Sequence, residues 1–236
     1  MQVHVLVAPV FGANCCVVVS GQGAPGSDAV IVDAGGGVAP AVIALVSERG
    51  WRVQAVVATH GHVDHTWDAA ALCEHFGAPF RIHADDAYRL ADPFGTLGFG
   101  ASGGVSLALR QAVSGLGIDP DNYRAPADIV TFDADGDENG ILVAGSLRLV
   151  VIPAPGHTQG STLFGVMSPE GGGILLTGDV LFAGGIGRTD LPGGDDEVMA
   201  TTLRDVIGAL DPALEVIPGH GPATTIAREL ATNPYL

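Results

Sequence analysis

Thr59-His60-Gly61-His62-Val63-Asp64-His65 decides the reading of this chain. It follows an apolar run, Val53–Ala58, with the β-branched content of a buried strand. It precedes Thr66–Phe76, which reads as a helix. Four groups able to bind a metal therefore sit within six residues, at a strand-to-helix turn. Imidazole nitrogen and carboxylate oxygen both suit borderline divalent cations such as Zn(II). In extended backbone His60 and His62 point the same way, so both can reach one ion. Asp64 and His65 come after the chain turns and can face a second. Three of the chain's 8 histidines packed around an aspartate are more than a polar loop needs.

Upstream, Val3–Val10 and Cys15–Ser20 read as strands joined by a turn at Phe11-Gly12-Ala13-Asn14. Ala29–Asp33 is a third strand, ending in Asp33-Ala34-Gly35-Gly36. The Asp33 carboxylate can cap the next helix or support a metal ligand from behind. Pro40 opens a helix running to Glu48. Downstream, Pro79–His83 is a strand and Ala84–Ala91 a short helix. His83, with Asp85 and Asp86, is set aside as a ligand because its spacing is poor. The glycine-rich segment at about 93–127, with one helix over Val105–Val113, has the character of a lid or binding loop. Phe94, Leu97, Phe99 and Tyr123 are its candidate apolar contacts. Asp133-Ala134-Asp135-Gly136-Asp137 resembles a calcium loop only at its start. Its sixth position is Glu138 and its twelfth Ala144, so it reads as a solvated turn.

The same device then recurs. Leu147–Pro153 runs into Pro155-Gly156-His157-Thr158. Thr162–Met167 and Gly173–Thr177 form a pair of strands, the second ending in Gly178-Asp179. A helix over Asp196–Leu210 leads to Leu214–Pro218, which ends in Gly219-His220-Gly221, and Thr224–Ala231 closes the chain. Apolar strands repeatedly end in loops that carry His or Asp. His60, His62, Asp64, His65, His157, Asp179 and His220 can therefore gather along one edge of stacked sheets.

Composition narrows the function. With 236 residues and 47% hydrophobic content, the expectation is one domain over 1–236. A net charge of -16 disfavours nucleic acid and anionic membranes as partners. All ten basic residues are arginine, so lysine-based covalent chemistry is excluded. Cys15, Cys16 and Cys73 are odd in number and two are adjacent, which does not suit a disulfide framework. A reducing, cytoplasmic location is expected. No apolar run is long enough for a membrane-spanning helix, and no secretory leader pattern opens the chain.

The histidine cluster, Pro155-Gly156-His157-Thr158, Gly178-Asp179 and Gly219-His220-Gly221, in that order, resemble the metallo-β-lactamase superfamily. The implied fold class is α/β, a four-layer αβ/βα metallo-β-lactamase sandwich with its metal site at one edge. Phe182…Gly187-Arg188-Thr189-Asp190 and the ending Thr225-Ile226…Glu229…Asn233-Pro234-Tyr235-Leu236 resemble the glyoxalase II-like, or hydroxyacylglutathione hydrolase-like, branch. That resemblance implies two divalent metal ions, zinc first, with iron or manganese as alternatives. His60, His62 and His157 would hold one ion. Asp64, His65 and His220 would hold the other, and Asp179 would bridge. Secreted β-lactamases of the best-known class carry Cys where Asp179 stands, so β-lactam hydrolysis is not expected.

The implied reaction is hydrolysis of a small-molecule thioester such as an S-2-hydroxyacyl thiol, by a hydroxide held between the ions. Asp64 is the expected catalytic residue, orienting that hydroxide. Asp33 is expected to act from behind the ligands. Arg188 and Asp190 are expected to pair and brace the loop after Asp179. Glyoxalase II enzymes continue into a helical domain that helps hold glutathione, whereas 16 residues follow His220 here. The thiol carrier is therefore open, as is the oligomeric state. The alternative activity is that of a mononuclear iron persulfide dioxygenase, which resembles the same branch and binds iron through positions matching His60, His157 and Asp179. A non-enzymatic metal-binding module fits the intact ligand set less well.

Overall fold

Strand alternation explains the layering. The computed structural model describes residues 1–98, 111, 114–115, 119–167 and 172–236. In β2 (Asn14–Val19), Cys15, Val17 and Val19 point to one face, while Cys16 and Val18 point to the other. The adjacent cysteines thus enter different cores, and all three cysteines are buried and free.

The first sheet has the order β1 (Gln2–Val7), β2, β3 (Asp28–Val32), β4 (Arg52–Val57), β5 (Phe80–His83) and β6 (Ile129–Phe132). β1 to β3 pair antiparallel, and β3 to β6 pair parallel. The crossovers between parallel strands need helices. α1 (Ala39–Arg49) connects β3 to β4, and α2 (Val63–Thr66) and α3 (Ala69–Phe76) connect β4 to β5. Val42, Val46, Leu72 and Cys73 of these helices pack on Val17, Ile31, Val56 and Phe80.

The second sheet contains β7 (Ile141–Ala144), β8 (Leu147–Pro153), β9 (Thr162–Met167), β10 (Gly173–Gly178), β13 (Glu215–Pro218) and β14 (Thr224–Thr225). Between β10 and β13 lie a small hairpin, β11 (Leu181–Phe182) and β12 (Gly185–Ile186), and helix α4 (Asp196–Asp205). Met199 and Leu203 of α4, with Ile226 of α5 (Ile226–Thr232), cover the outer face through Leu163, Leu175 and Val216. Between the sheets, Val18, Val30, Val57 and Phe132 meet Leu142, Leu149, Phe164 and Leu176. The result is helix, sheet, sheet, helix, the four-layer arrangement expected.

Three local expectations change. The helix expected over Thr66–Phe76 is two pieces, broken at Trp67-Asp68. The break frees the Asp68 carboxylate to accept from Ala39 N at 2.8 Å, which caps α1. β6 was not legible in the sequence. It is a short edge strand, with Ile129 and Val130 exposed. Ala84–Leu90 is a 3₁₀ helix, started by His83 Nδ1 accepting from Asp85 N. His83 therefore does capping work. The helix expected over Val105–Val113 and much of the 93–127 segment lie outside the described residues.

Candidate metal centre

Strand direction collects the ligands. β3 and β4 run parallel, as do β10 and β13, and β8 shares the direction of β10 because both pair antiparallel with β9. Their carboxyl ends meet at one edge of the sandwich. Thr162 N donates to Thr59 O at 2.9 Å, and Asn14 N to Gly219 O at 2.7 Å, joining the sheets there. The loops after β4, β8, β10 and β13 deliver His60 to His65, His157, Asp179 and His220 respectively.

Two donor sets form. His60, His62 and His157 offer ligand atoms within 4.8 Å of one another, and so do Asp64, His65 and His220. Asp179 lies between them. Its Oδ2 is 3.7 Å from both His157 Nε2 and His220 Nε2. Its Oδ1 is 3.3 Å from His65 Nε2 without an aligned hydrogen bond. All seven sequence-derived ligand candidates are thus brought together.

The imidazole tautomers suit a cation. His157 Nδ1 donates to the Arg188 carbonyl at 2.6 Å, leaving the lone pair on Nε2. His65 Nδ1 donates to Asp33 Oδ2 at 2.9 Å, which turns Nε2 toward Asp64, Asp179 and His220. Thr59 Oγ1 donates to Asp33 Oδ2 at 2.9 Å, so His60 Nδ1, 3.1 Å away, donates to Thr59. Asp33 thereby orients His65 directly and His60 through one hydroxyl. Its backbone is left-handed (φ 61°), which aspartate tolerates better than most residues. His60 Nε2 and Asp179 Oδ1 are buried without hydrogen-bond partners, and His62 turns its Nδ1 to within 2.9 Å of His157 Nε2. Orphaned buried donor atoms are costly. A divalent ion at each set would use this chemistry, so the residues fit the metals that the sequence implies.

Electrostatics divides the two sets. Burial first, and then neighbouring imidazoles, hold the His60 pKa well below its ordinary value. Burial and His157 push His62 down to about 3. Both imidazoles are neutral at pH 7. Burial also opposes charge on His65, but Asp179, Asp33 and Asp64 outweigh it and raise its pKa. Burial likewise opposes ionisation of Asp64, yet His65 and the His220 hydrogen bond hold it below the usual carboxylate range. The second set is therefore a carboxylate-rich site in which a cation competes with protons.

Two glycines permit the loops. A Cβ on Gly61 would lie 2.8 Å from Asp86 O and from Arg89 Cδ. Gly156 has φ +137°, and a Cβ there would lie 2.5 Å from Met199 Cα.

Four supporting residues were missed in the sequence. Asp86 accepts from Gly61 N (2.8 Å), Gly160 N (3.1 Å), Thr158 Oγ1 (2.7 Å) and Arg89 Nε (3.2 Å). It fastens the His60–His65 loop to the His157 loop. Arg89 extends the tie to Gln159 Oε1 at 2.9 Å and Pro192 O at 3.0 Å. Asn14 Nδ2 donates to Pro218 O at 2.8 Å and Gly221 O at 3.0 Å, bracketing His220. Glu229 accepts from Gly184 N and Thr224 Oγ1, and so holds the hairpin after Asp179. The charged Asp86–Arg89 pair beside Leu90 was a signal available in the sequence.

Arg188 and Asp190 pair through two 2.7 Å hydrogen bonds, both side chains largely exposed. Exposed pairs contribute little. The Arg188 carbonyl, by contrast, fixes the His157 tautomer. Arg188→Ala is therefore expected to leave the melting temperature and metal content at wild-type values, checked by calorimetry and metal analysis.

Asp33→Asn puts an amide where Thr59 N, Thr59 Oγ1 and His65 Nδ1 all need an acceptor. Metal affinity is expected to fall about 10–100-fold, measured by chelator competition.

A strand-edge array of His and Asp in an αβ/βα sandwich defines a divalent-metal hydrolase fold. The chain belongs to the metallo-beta-lactamase superfamily, whose family model matches residues 8–220. It is 36% identical over 231 residues to an uncharacterized protein of Mycobacterium tuberculosis, covering 97% of this chain and 95% of the relative. It is 29% identical over 236 residues to a hydroxyacylglutathione hydrolase of Haemophilus influenzae, covering 100% and 98%. Among solved structures it is similar to BLEG-1 B3 metallo-beta-lactamase, with TM-score 0.75 and 27% identity over 100% of this chain and 99% of the other. It is equally similar to TTHA1623 in a di-iron-bound form, with TM-score 0.74 and 27% identity over 99% and 100%.

Proposed function

We propose that this protein is a dinuclear metallohydrolase of thioesters, of the S-2-hydroxyacyl-thiol class. The observation that carries the reading is Asp179, placed between two complete donor sets. His60, His62 and His157 would hold one ion; Asp64, His65 and His220 the other; Asp179 would be shared. Bound there, two divalent ions supply a hydroxide nucleophile near neutral pH and polarise the substrate carbonyl. The di-iron form of a similar protein supports paired metals, with zinc the first candidate and iron the second.

The chain's own residues do the rest. Asp64 is half-buried, with Oδ2 3.2 Å from His220 Nε2. It faces the cleft as an ionised proton acceptor, positioned to orient the attacking oxygen. The cleft of about 180 Å³ also exposes His62, His157, Asp179, Arg188 and the apolar side chains of Phe11, Val63, Leu97 and Leu191. Of the four apolar contacts expected from the 93–127 segment, Leu97 lines this cleft. Phe94 and Tyr123 pack on Trp67 instead, and Phe99 lies outside the described residues. A thiol leaving group, with pKa about 8.5, departs as thiolate without a general acid. That agrees with the absence of lysine.

The mononuclear iron alternative uses His60, His157 and Asp179. It leaves His62, Asp64, His65 and His220 converging on the same point without a task, so the dinuclear reading accounts for more of the site. Three buried, unpaired cysteines suit a reducing cytoplasm. No helix among the described residues is long and apolar enough to cross a membrane.

The test is thiol release from S-lactoyl thiols by metal-loaded protein, with a β-lactam and a persulfide assayed in parallel. Thioester turnover well above that of the β-lactam is expected. Oxygen uptake with the persulfide and no thiol release would overturn the reading.

A further inference from the structure

Phe11 breaks a local rule. Phe11 and Gly12 both have left-handed backbone, φ 65° and 71°, in the tight turn between β1 and β2. Left-handed backbone is a conformation that glycine and asparagine adopt most readily. A bulky aromatic at the first position is an outlier. The turn is also rigidly held. Ala8 N donates to Ala13 O at 2.8 Å, Val10 N to Gly36 O at 3.1 Å, and Asn14 N to Gly219 O beside His220. Phe11 has no place in any of the three buried cores, and 39% of its surface is exposed. Phe11 lines the metal-site cleft together with Val63, Leu97 and Leu191 as well as Asp64 and Asp179. A strained residue held by its surroundings at a site is the kind that function retains.

We infer that Phe11 is the specificity-determining residue of the cleft, gripping the apolar side chain of a short acyl group. The inference rests on the thioesterase reading and names the substrate class within it. The cleft of about 180 Å³, lined by Phe11, Val63, Leu97 and Leu191, has room for a short acyl chain next to the carbonyl. Burying each added methylene against Phe11, Leu97 and Leu191 is expected to raise kcat/KM about fourfold until the cleft is full.

The experiment compares wild type with Phe11→Asn and Phe11→Gly, which both accept the left-handed turn. Substrates are S-acyl 2-mercaptoethanol thioesters from acetyl to pentanoyl. In parallel, calorimetry follows binding of the inert S-alkyl thioethers of the same lengths to metal-loaded protein. Wild type is expected to show the chain-length gain in both readouts. In the variants the gain per methylene should fall below about twofold, through KM rather than kcat, with melting temperature equal to wild type or higher. A gain absent in wild type or retained in the variants overturns the inference. So does a lowered melting temperature in both variants, which would make Phe11 a packing residue. A gain seen in thioether binding and lost in the variants, with no thioester hydrolysed, upholds the role of Phe11 while the thioesterase reading fails.

Discussion

Asp64→Asn is expected to lower thioester turnover by about 10²–10⁴-fold, the range that a positioned proton acceptor contributes. Asparagine keeps the shape of the side chain but cannot take up a proton and offers an N–H toward the cleft. The loss should fall on kcat, because Asp64 faces the attacking oxygen rather than the acyl chain. Folding should be spared. Asp64 is half-buried, and among the described residues its side chain makes one hydrogen bond, the 3.2 Å contact with His220. The check is steady-state kinetics beside a thermal melt and a metal assay at saturating metal. Wild-type turnover would remove the orienting role. Under mononuclear iron chemistry the same substitution would matter far less, because Asp64 is then not a ligand.

Asp86→Ala is expected to have the largest effect on stability. Both side chains of the Asp86–Arg89 pair are fully buried. Removing the carboxylate strands a guanidinium in the interior and unpairs Gly61 N, Gly160 N and Thr158 Oγ1. Breaking a buried pair from one side costs about 3–5 kcal/mol. For a chain of this size that is a fall in melting temperature of about 10 °C or more. Asp86→Ala with Arg89→Met should recover part of the loss, because the uncompensated charge leaves with Arg89. Equal melting temperatures for wild type and Asp86→Ala would show that the loops carrying His60 and His157 are held by other contacts. Metal affinity should fall with stability, since both loops lose their shared anchor.

The contrast between Asp64 and Asp86 shows what the sequence could reveal. The donors His60, His62, Asp64 and His65 were legible because metal binding demands particular atoms at close spacing. His157, Asp179 and His220 became legible together, since each follows an apolar strand and a glycine-marked turn. The layers were legible as well. The alternation through Cys15-Cys16-Val17-Val18-Val19 and the apolar runs before each loop dictate two buried sheets. Asp86 was passed over because, beyond its local pairing with Arg89, its partners are backbone amides and a hydroxyl of remote loops, which leave no local pattern. Asn14 and Glu229 work the same way, holding loops close to His220 and Asp179 through contacts that exist only after folding. Asp68 illustrates a boundary error of the same origin: its carboxylate caps a different helix, and that distant bond breaks the helix expected across it. β6 is short, exposed and at an edge, so no hydrophobic period marks it.

The role of Asp33 lies between these cases. Its place at a strand end before glycines admitted both a helix cap and a support for ligands. The folded geometry gives it three donors from the ligand loop, Thr59 N, Thr59 Oγ1 and His65 Nδ1, within 2.9 Å. One carboxylate thus sets the orientation of an imidazole in each donor set.

Metal content per chain, with identity, on protein purified without added metal or chelator tests the central claim most directly. Two divalent ions per chain, zinc or a zinc and iron mixture, are expected, falling together in Asp179→Ala. A single iron per chain that persists after reconstitution with excess zinc, or no metal taken up at all, would contradict the dinuclear centre.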